Sequence, residues 1–285
     1  MTVKKRIIVL AVGITILLSL VVWTVWGNTA LEMNTYSITS EKLPKSFDGY
    51  RIAHISDLHN AEMGKNNVRL LAMLRDAQPD LIAITGDLID SRNTNISVAL
   101  QFAEQAVDIA PCYYITGNHE ARVPDYDKLK HGLLELGVVL LENDKVEIED
   151  SGEKIIVMGV NDPSFETSYM FGNSVSVMQH NLQQLTEADD YTILLSHRPE
   201  LMEVYANYGV DLVLSGHAHG GQFRLPLLGG IVAPNQGIFP EYDSGLFEKK
   251  NTRMIVSRGI GNSIIPFRFN NRPEVVLIEL NTVGA

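Results

Sequence analysis

The chain has 285 residues, 45% of them apolar and 20% charged, a balance that excludes disordered, collagenous and low-complexity classes. Its first thirty residues hold three bases and no acid, so the remainder sets twenty bases against thirty-four acids, a formal −14. That surface is too acidic for a dedicated nucleic-acid binder, and the single Cys, Cys112, excludes an intramolecular disulfide or a multi-Cys zinc finger.

Residues 1–6 form a basic tail with Lys4, Lys5 and Arg6. Residues 7–26 then run without a charge, about 30 Å as a helix and enough to cross a bilayer core. No base follows until Lys42. The asymmetry predicts a cytoplasmic N-terminus, a single-pass span in the cell membrane and an extracytoplasmic domain, with Trp23 and Trp26 at the outer interface. A cleaved signal peptide is the competing reading, but it calls for a shorter apolar run and small residues at the cleavage site.

Residues 27–48 read as a linker and a first strand near 36–40, and 49–285 as one domain. Strand-length apolar runs occur at 51–56, 81–85, 112–116, 155–160, 192–196 and 212–215. Between several of them the spacing is helical: Val68, Leu71 and Leu74 on one face, then Tyr126, Leu129, Leu133 and Leu136. Alternating strands and helices predict an α/β fold with a largely parallel sheet. Two further strands, 253–257 and 274–280, close the chain. The Gly- and Pro-rich stretch 220–245 reads as a long loop, unusually apolar at Phe223, Leu225, Leu227, Leu228, Ile231, Val232, Ile238 and Phe239. Such a loop either packs down as a lid or presents an exposed patch, and Ile264, Ile265 and Phe267 are placed to extend its rim.

The residues after the strands carry the chemistry. The runs end in Asp57-Leu58-His59, Gly86-Asp87, Gly117-Asn118-His119-Glu120, Ser196-His197 and Gly216-His217-Ala218-His219. Parallel sheets place ligand sites at the carboxyl ends of their strands, so these residues are expected to share one crevice. Asp-x-His and His-x-His each arise by chance, whereas Gly-Asn-His followed by an acid is expected only about 0.005 times in such a chain. Asp57 and His59, like His217 and His219, are two apart and in extended chain would project to the same side. The glycines before Asp87, Asn118 and His217 are expected to turn the backbone tightly.

Burying so many ionisable groups without a partner is expensive. A cation makes the cluster sensible, and seven donors (Asp57, His59, Asp87, Asn118, His197, His217, His219) exceed what one tetrahedral ion uses. Two ions sharing a carboxylate are implied, and the mix of imidazole nitrogen with carboxylate and amide oxygen suits Mn, Fe or Zn.

In order and spacing these motifs resemble the calcineurin-like metallophosphoesterases. Gly220-Gly221-Gln222, Ser257-Arg258-Gly259 and Pro266-x-Arg268 resemble a bacterial membrane-associated branch typified by YkuE and YaeI. The resemblance implies a four-layer αββα sandwich, here preceded by one N-terminal transmembrane helix. It implies one ion on Asp57, His59, Asp87 and His219 and a second on Asp87, Asn118, His197 and His217. The expected reaction is hydrolysis of phosphate esters, diester or pyrophosphate-linked and including lipid-borne ones, by a hydroxide held between the ions. His119 is the expected proton donor to the leaving group. Glu120 either fixes its tautomer or remains a surface carboxylate. A nuclease or nucleotide phosphohydrolase, or a tethered metal-binding module without turnover, are the alternatives. Of the other candidates, His54 reads as a core or opposite-face residue, His131 and His180 as solvated, and Cys112 as a small core residue. Arg198, Arg258 and Arg268 read as structural ion pairs or phosphate contacts.

Overall fold

The computed structural model describes residues 2–166, 173–185, 189–262 and 265–284. Its strands, in chain order, are β1 (Glu32–Ser40), β2 (Arg51–Ile55), β3 (Leu81–Thr85), β4 (Cys112–Ile115), β5 (Val139–Leu140), β6 (Asp144–Asp150), β7 (Glu153–Gly159), β8 (Tyr191–Leu195) and β9 (Leu212–Ser215). Four two-residue strands follow, β10 (Arg224–Leu225), β11 (Gly229–Gly230), β12 (Val232–Ala233) and β13 (Gly237–Ile238), and then β14 (Gly245–Lys249), β15 (Thr252–Val256) and β16 (Glu274–Thr282). The helices are α1 (Val3–Thr29), α2 (Val68–Ala77), α3 (Ile96–Ala106), α4 (Tyr126–Glu135), α5 (Ser174–Leu185) and α6 (Met202–Asn207).

Two six-stranded sheets carry the fold, ordered β1-β16-β2-β3-β4-β5 and β14-β15-β9-β8-β7-β6. The two sheets match the expected sandwich, but each is mixed where the alternation predicted largely parallel pairing: β16 runs antiparallel to β2, β6 to β7 and β14 to β15. The continuous apolar strands feed two cores by simple alternation. In β3, Leu81 and Ala83 face the layer between the sheets with Ile193, Leu195, Leu212 and Leu214. Ile82 and Ile84 face outward onto Leu70, Leu71 and Leu74 of α2 and Phe102 of α3. On the other sheet Leu194 and Val213 face Met178 and Leu182 of α5 and Tyr205 of α6. This is the αββα sandwich.

Two details differ from expectation. Val68 is exposed, and α2 buries Leu70, Leu71, Leu74 and Ala77 instead. The first strand begins at Glu32, leaving only Ala30 and Leu31 between it and α1. It pairs in parallel with β16 along its whole length, so the strand expected near 36–40 starts four residues earlier, inside the expected linker. Helix α1 is long and apolar enough to cross a membrane, with a mean hydropathy of 2.7 over a window that buries nothing.

Candidate metal centre

The parallel strands β2, β3 and β4 of one sheet and β8 and β9 of the other end together. Their following residues interlock across the two sheets. His197 Nδ1 lies 2.7 Å from the Thr85 carbonyl and donates to it, so Nε2 is the atom turned to Asp87, protonated in the cation-free site and a lone pair once a cation displaces that proton. Ser56 Oγ donates to the same carbonyl at 3.2 Å. All seven expected donors and His119 are buried here.

They form adjoining clusters. Asp57, His59 and His219 bring their donor atoms within 4.8 Å of one another, as do Asp87, His197 and His217. A third grouping, His59, Asp87 and His119, places His119 against the first two. Asp57 Oδ1 is 3.2 Å from His219 Nε2. Asp87 Oδ2 lies between the clusters, 3.2 Å from His197 Nε2 and 3.5 Å from His59 Nε2. The second carboxylate oxygens are spent on the backbone: Asp57 Oδ2 accepts from the His217 amide and Asp87 Oδ1 from the His119 amide.

The turn geometry differs from the extended-chain reading. Asp57, His59, Asp87, His217 and His219 all have positive φ, from 46° to 66°, a region costly for residues with a Cβ and concentrated at functional sites. Asp57 and His59 meet because the chain curls back. His217 and His219 part company, one to each cluster. The glycines serve different ends as well. Gly86 has φ of 85°, turns the chain and abuts the Gly117 backbone, whereas a Cβ at Gly117 would collide with the Asp87 carboxylate and one at Gly216 with Ser56 and Asp57. The latter two are required by close approach alone.

Several buried atoms fit a cation. Asp57 Oδ1, Asn118 Oδ1 and His197 Nε2 have no hydrogen-bond partner, and buried polar atoms are rarely left so. His59 Nε2 and His219 Nε2 face each other at 3.2 Å, two nitrogens of which at most one carries a proton to share. Although burial opposes charge, Asp87 and Asp57 lift His197 to about 10 and raise His59. Protons thus neutralise the carboxylates where cations would, and cation binding would release them. Burial lowers His219 to about 3, and burial with Arg198 holds His217 well below its ordinary value. Both are neutral ligands in waiting. His217 Nε2 lies 3.0 Å from both Asn235 Oδ1 and the Arg198 guanidinium, so this nitrogen is engaged on the outer side of the ring.

The surroundings include residues that sequence reasoning missed. Asp90, three residues after Asp87, lies 3.7 Å from His119 Nδ1 and is gripped by Arg92 at 2.5 and 3.0 Å. The repeated carboxylate in Asp87-x-x-Asp90 was the available signal. The Ser91 amide donates to His119 Nδ1 at 3.0 Å, so the neutral ring carries its proton on Nε2. Burial lowers His119 to about 4. Glu120 plays neither expected part. It is fully buried and accepts from the amides of Asp87 at 2.9 Å, Gly117 at 2.8 Å and Ile89 at 3.3 Å, tying together the turns after β3 and β4. Burial and then Asp87 push its carboxyl up to about 7, against the pull of those amides.

Of the remaining candidates, two arginines border the cluster, Arg198 at 3.0 Å from His217 Nε2 and Arg268 at 3.5 Å from His219 Nδ1. His54 is buried, 2.7 Å from Thr85 Oγ1. His131 is exposed beside Glu135, His180 is exposed, and Cys112 is core. Arg258 pairs with Glu32 and Glu274. Arg198 is bound to buried Asp162 at 2.5 and 2.9 Å and meets Asn235 Oδ1 at 3.0 Å. Arg268 donates to the carbonyls of Arg258 and Gly261.

An αββα sandwich with paired Asp/His clusters at its strand ends is the architecture of a metal-dependent phosphoesterase. The chain belongs to the calcineurin-like phosphoesterase family, which it matches over residues 50–221. It is 29% identical over 267 residues to the uncharacterized metallophosphoesterase YkuE of Bacillus subtilis (strain 168), spanning 89% of this chain and 87% of that protein. It is 28% identical to phosphodiesterase YaeI of Escherichia coli (strain K12), spanning 81% and 82%. A transmembrane protein with metallophosphoesterase domain from Danio rerio is 29% identical over 85% of this chain and 56% of its own length. Among solved structures, sulfate thiohydrolase SoxB of Thermus thermophilus superposes with a TM-score of 0.51 at 13% identity, over 84% of this chain and 57% of that one, a likeness of fold alone.

Proposed function

We propose that this chain is a membrane-anchored hydrolase of phosphodiester or pyrophosphate-linked esters, with its catalytic domain outside the cytoplasm. The observation that carries the reading is Asp87, whose Oδ2 lies between two clusters of buried donors. Asp57, His59, Asp87 and His219 would hold one ion, and Asp87, Asn118, His197 and His217 the other, with Mn, Fe or Zn matching the donors. When bound, such a pair supplies Lewis-acid polarisation of the phosphoryl group and acidifies a coordinated water.

The chain's own residues supply the rest. His119, as an imidazolium, would donate its Nε2 proton to the departing oxygen and return to the neutral ring. Ser91 Oγ and Asp90 Oδ1, 3.2 and 3.7 Å from its Nδ1, favour that charged form before the transfer. Asn235 and Arg198 both hold His217 at Nε2, and Arg198, locked by Asp162, steadies Asn235. The base asymmetry of Lys4, Lys5 and Arg6 around α1 supports the outward orientation. The twenty-to-thirty-four imbalance of the remaining chain disfavours a polynucleotide substrate.

The test is metal analysis of the purified full chain, with hydrolysis of nitrophenyl phosphate and bis-nitrophenyl phosphate before and after chelation and Mn return. Two metals per chain and Mn-restored cleavage of the diester are expected. Two metals without turnover of any ester would identify a binding module instead.

A further inference from the structure

The last turn of α1 is fixed to the domain. Asn28 brackets the backbone of Arg268, donating to its carbonyl at 2.9 Å and accepting from its amide at 2.7 Å. The Arg272 guanidinium sits 4.8 Å from the centre of the Trp26 ring and donates to the carbonyls of Ala30 and Leu31. Helix root and residues 265–272 therefore share one face. That face continues directly into 223–239, where Phe269 bridges to Phe223, whose ring lies 5.4 Å from Phe267.

From there the chain turns its apolar side chains outward. Leu227 is fully exposed, Ile238 72%, Leu228 64% and Phe239 59% exposed. The expected choice between lid and patch is resolved as a patch; Ile264 lies outside the described residues, while Phe267 is exposed on the same rim. Arg224 is the one charge in 223–239, and Asp243 and the Gly220 carbonyl hold it. Between the loop and Ile265 lies a pocket of about 300 Å³, lined by Val232, Ala233 and Pro234 and walled on the inner side by Ala218, His219 and Gln222. An apolar path thus leads from the patch to a residue of the metal centre. A contiguous apolar patch marks an interaction surface, and continuity with the root of an apolar spanning helix points to the bilayer as its partner.

We propose that this rim inserts into the membrane that α1 anchors, and that the pocket receives the acyl or prenyl chain of a membrane-borne phosphate ester. The substrate half rests on the phosphoesterase reading above and narrows it to esters presented by the leaflet beneath the domain. The competing occupant, a protein partner, is one outcome of the test.

The experiment uses the full chain reconstituted in nanodiscs of phosphatidylcholine and phosphatidylglycerol. Leu228→Cys is compared with Leu134→Cys, an exposed site on α4 beside β5, the sheet edge opposite β1. Both carry a nitroxide, and Cys112, buried and with its thiol pushed up to about 12, stays unlabelled. Immersion predicts that oxygen accessibility relative to a water-soluble nickel complex is at least about fivefold higher at 228 than at 134. A label at 228 as open to nickel as that at 134 overturns the rim, and one shielded from both reagents assigns the patch to a second copy of this chain as its protein partner and overturns it too. In a second arm, Leu227→Glu/Leu228→Glu/Phe239→Glu should slow hydrolysis of a bilayer-embedded prenyl or diacyl phosphate ester by at least about tenfold, with bis-nitrophenyl phosphate unaffected. Equal loss on both esters, or none on either, overturns the substrate half. A wild-type chain inert toward every ester but with an immersed label would sink the phosphoesterase reading and the substrate half, leaving the membrane rim in place.

Discussion

Glu120→Gln isolates the carboxylate that joins the turns after β3 and β4. The substitution keeps the shape. Its amide oxygen can still accept from Gly117 at 2.8 Å and Asp87 at 2.9 Å, but its NH2 group then faces the Ile89 amide, donor against donor. Above pH 7, where Glu120 is ionised, losing charge assistance in two bonds costs about 1 kcal/mol each, and one buried unsatisfied amide costs about 1–3 kcal/mol. Removing the anion also relieves its repulsion with Asp87, the second cause of the raised Glu120 pKa, and offsets part of that loss. A net cost of about 2–3 kcal/mol remains, a fall in Tm of roughly 5–10 °C for a domain of this size. The repulsion matters only while the Asp87 charge is uncompensated, so the deficit should be larger in metal-loaded than in chelated protein. An extra 1.4 kcal/mol on loading would equal about a tenfold weaker metal affinity. Thermal melts with and without chelator, together with metal titration, measure both quantities. A variant melting with wild type in both conditions, at unchanged metal affinity, would refute the stapling role.

Asp87→Asn should lower bound metal and activity together, read by elemental analysis beside diester hydrolysis; two retained ions at full activity would count against the shared ligand. His119→Ala should keep its metals and lose about 10²–10³-fold in turnover of alkyl esters, but less with nitrophenolate as leaving group; a uniform loss would remove the proton-donor role. Arg198→Met strands the buried Asp162 charge and should cost about 3–5 kcal/mol in urea unfolding, whereas Arg198→Met/Asp162→Leu should recover most of it. Burial favours protonated Asp162, yet Arg198 keeps its carboxyl below the ordinary 3.8. The wild type therefore holds that stability above pH 3.8 and loses it as pH falls through the folded value, an acid limb that should be absent from the double variant.

The parts of this site legible in the sequence are those whose chemistry dictates residue type. A cation needs nitrogen and oxygen donors, a parallel sheet offers them at strand ends, and β2, β3, β4, β8 and β9 were accordingly visible as apolar runs followed by Asp, Asn or His. Strands without a strand-length apolar run were hidden. Asp144–Asp150 is an edge strand, exposed at Asp144, Glu147, Glu149 and Asp150 and never fully buried, so no apolar run announces it; Val139–Leu140 is two residues long. What holds the donors in place was hidden for another reason. A positive φ at Asp57 or His217 is imposed by packing and has no residue signature unless glycine is present. The partners of the site are long-range as well: Arg198 reaches Asp162 and Asn235, 36 and 37 positions away, and Asn28 reaches Arg268 across 240. Each such pair is an ordinary polar side chain until the fold removes water from around it. The apolar loop shows the opposite case. Its eight large apolar residues read alike in sequence, but only the structure separates Phe223, packed against Phe267, from Leu227, which touches solvent on all sides. Composition announced that the loop meets something apolar. Which side chains do so is decided by two short hairpins, β10–β11 and β12–β13, that turn Leu227, Leu228 and Ile238 away from the domain.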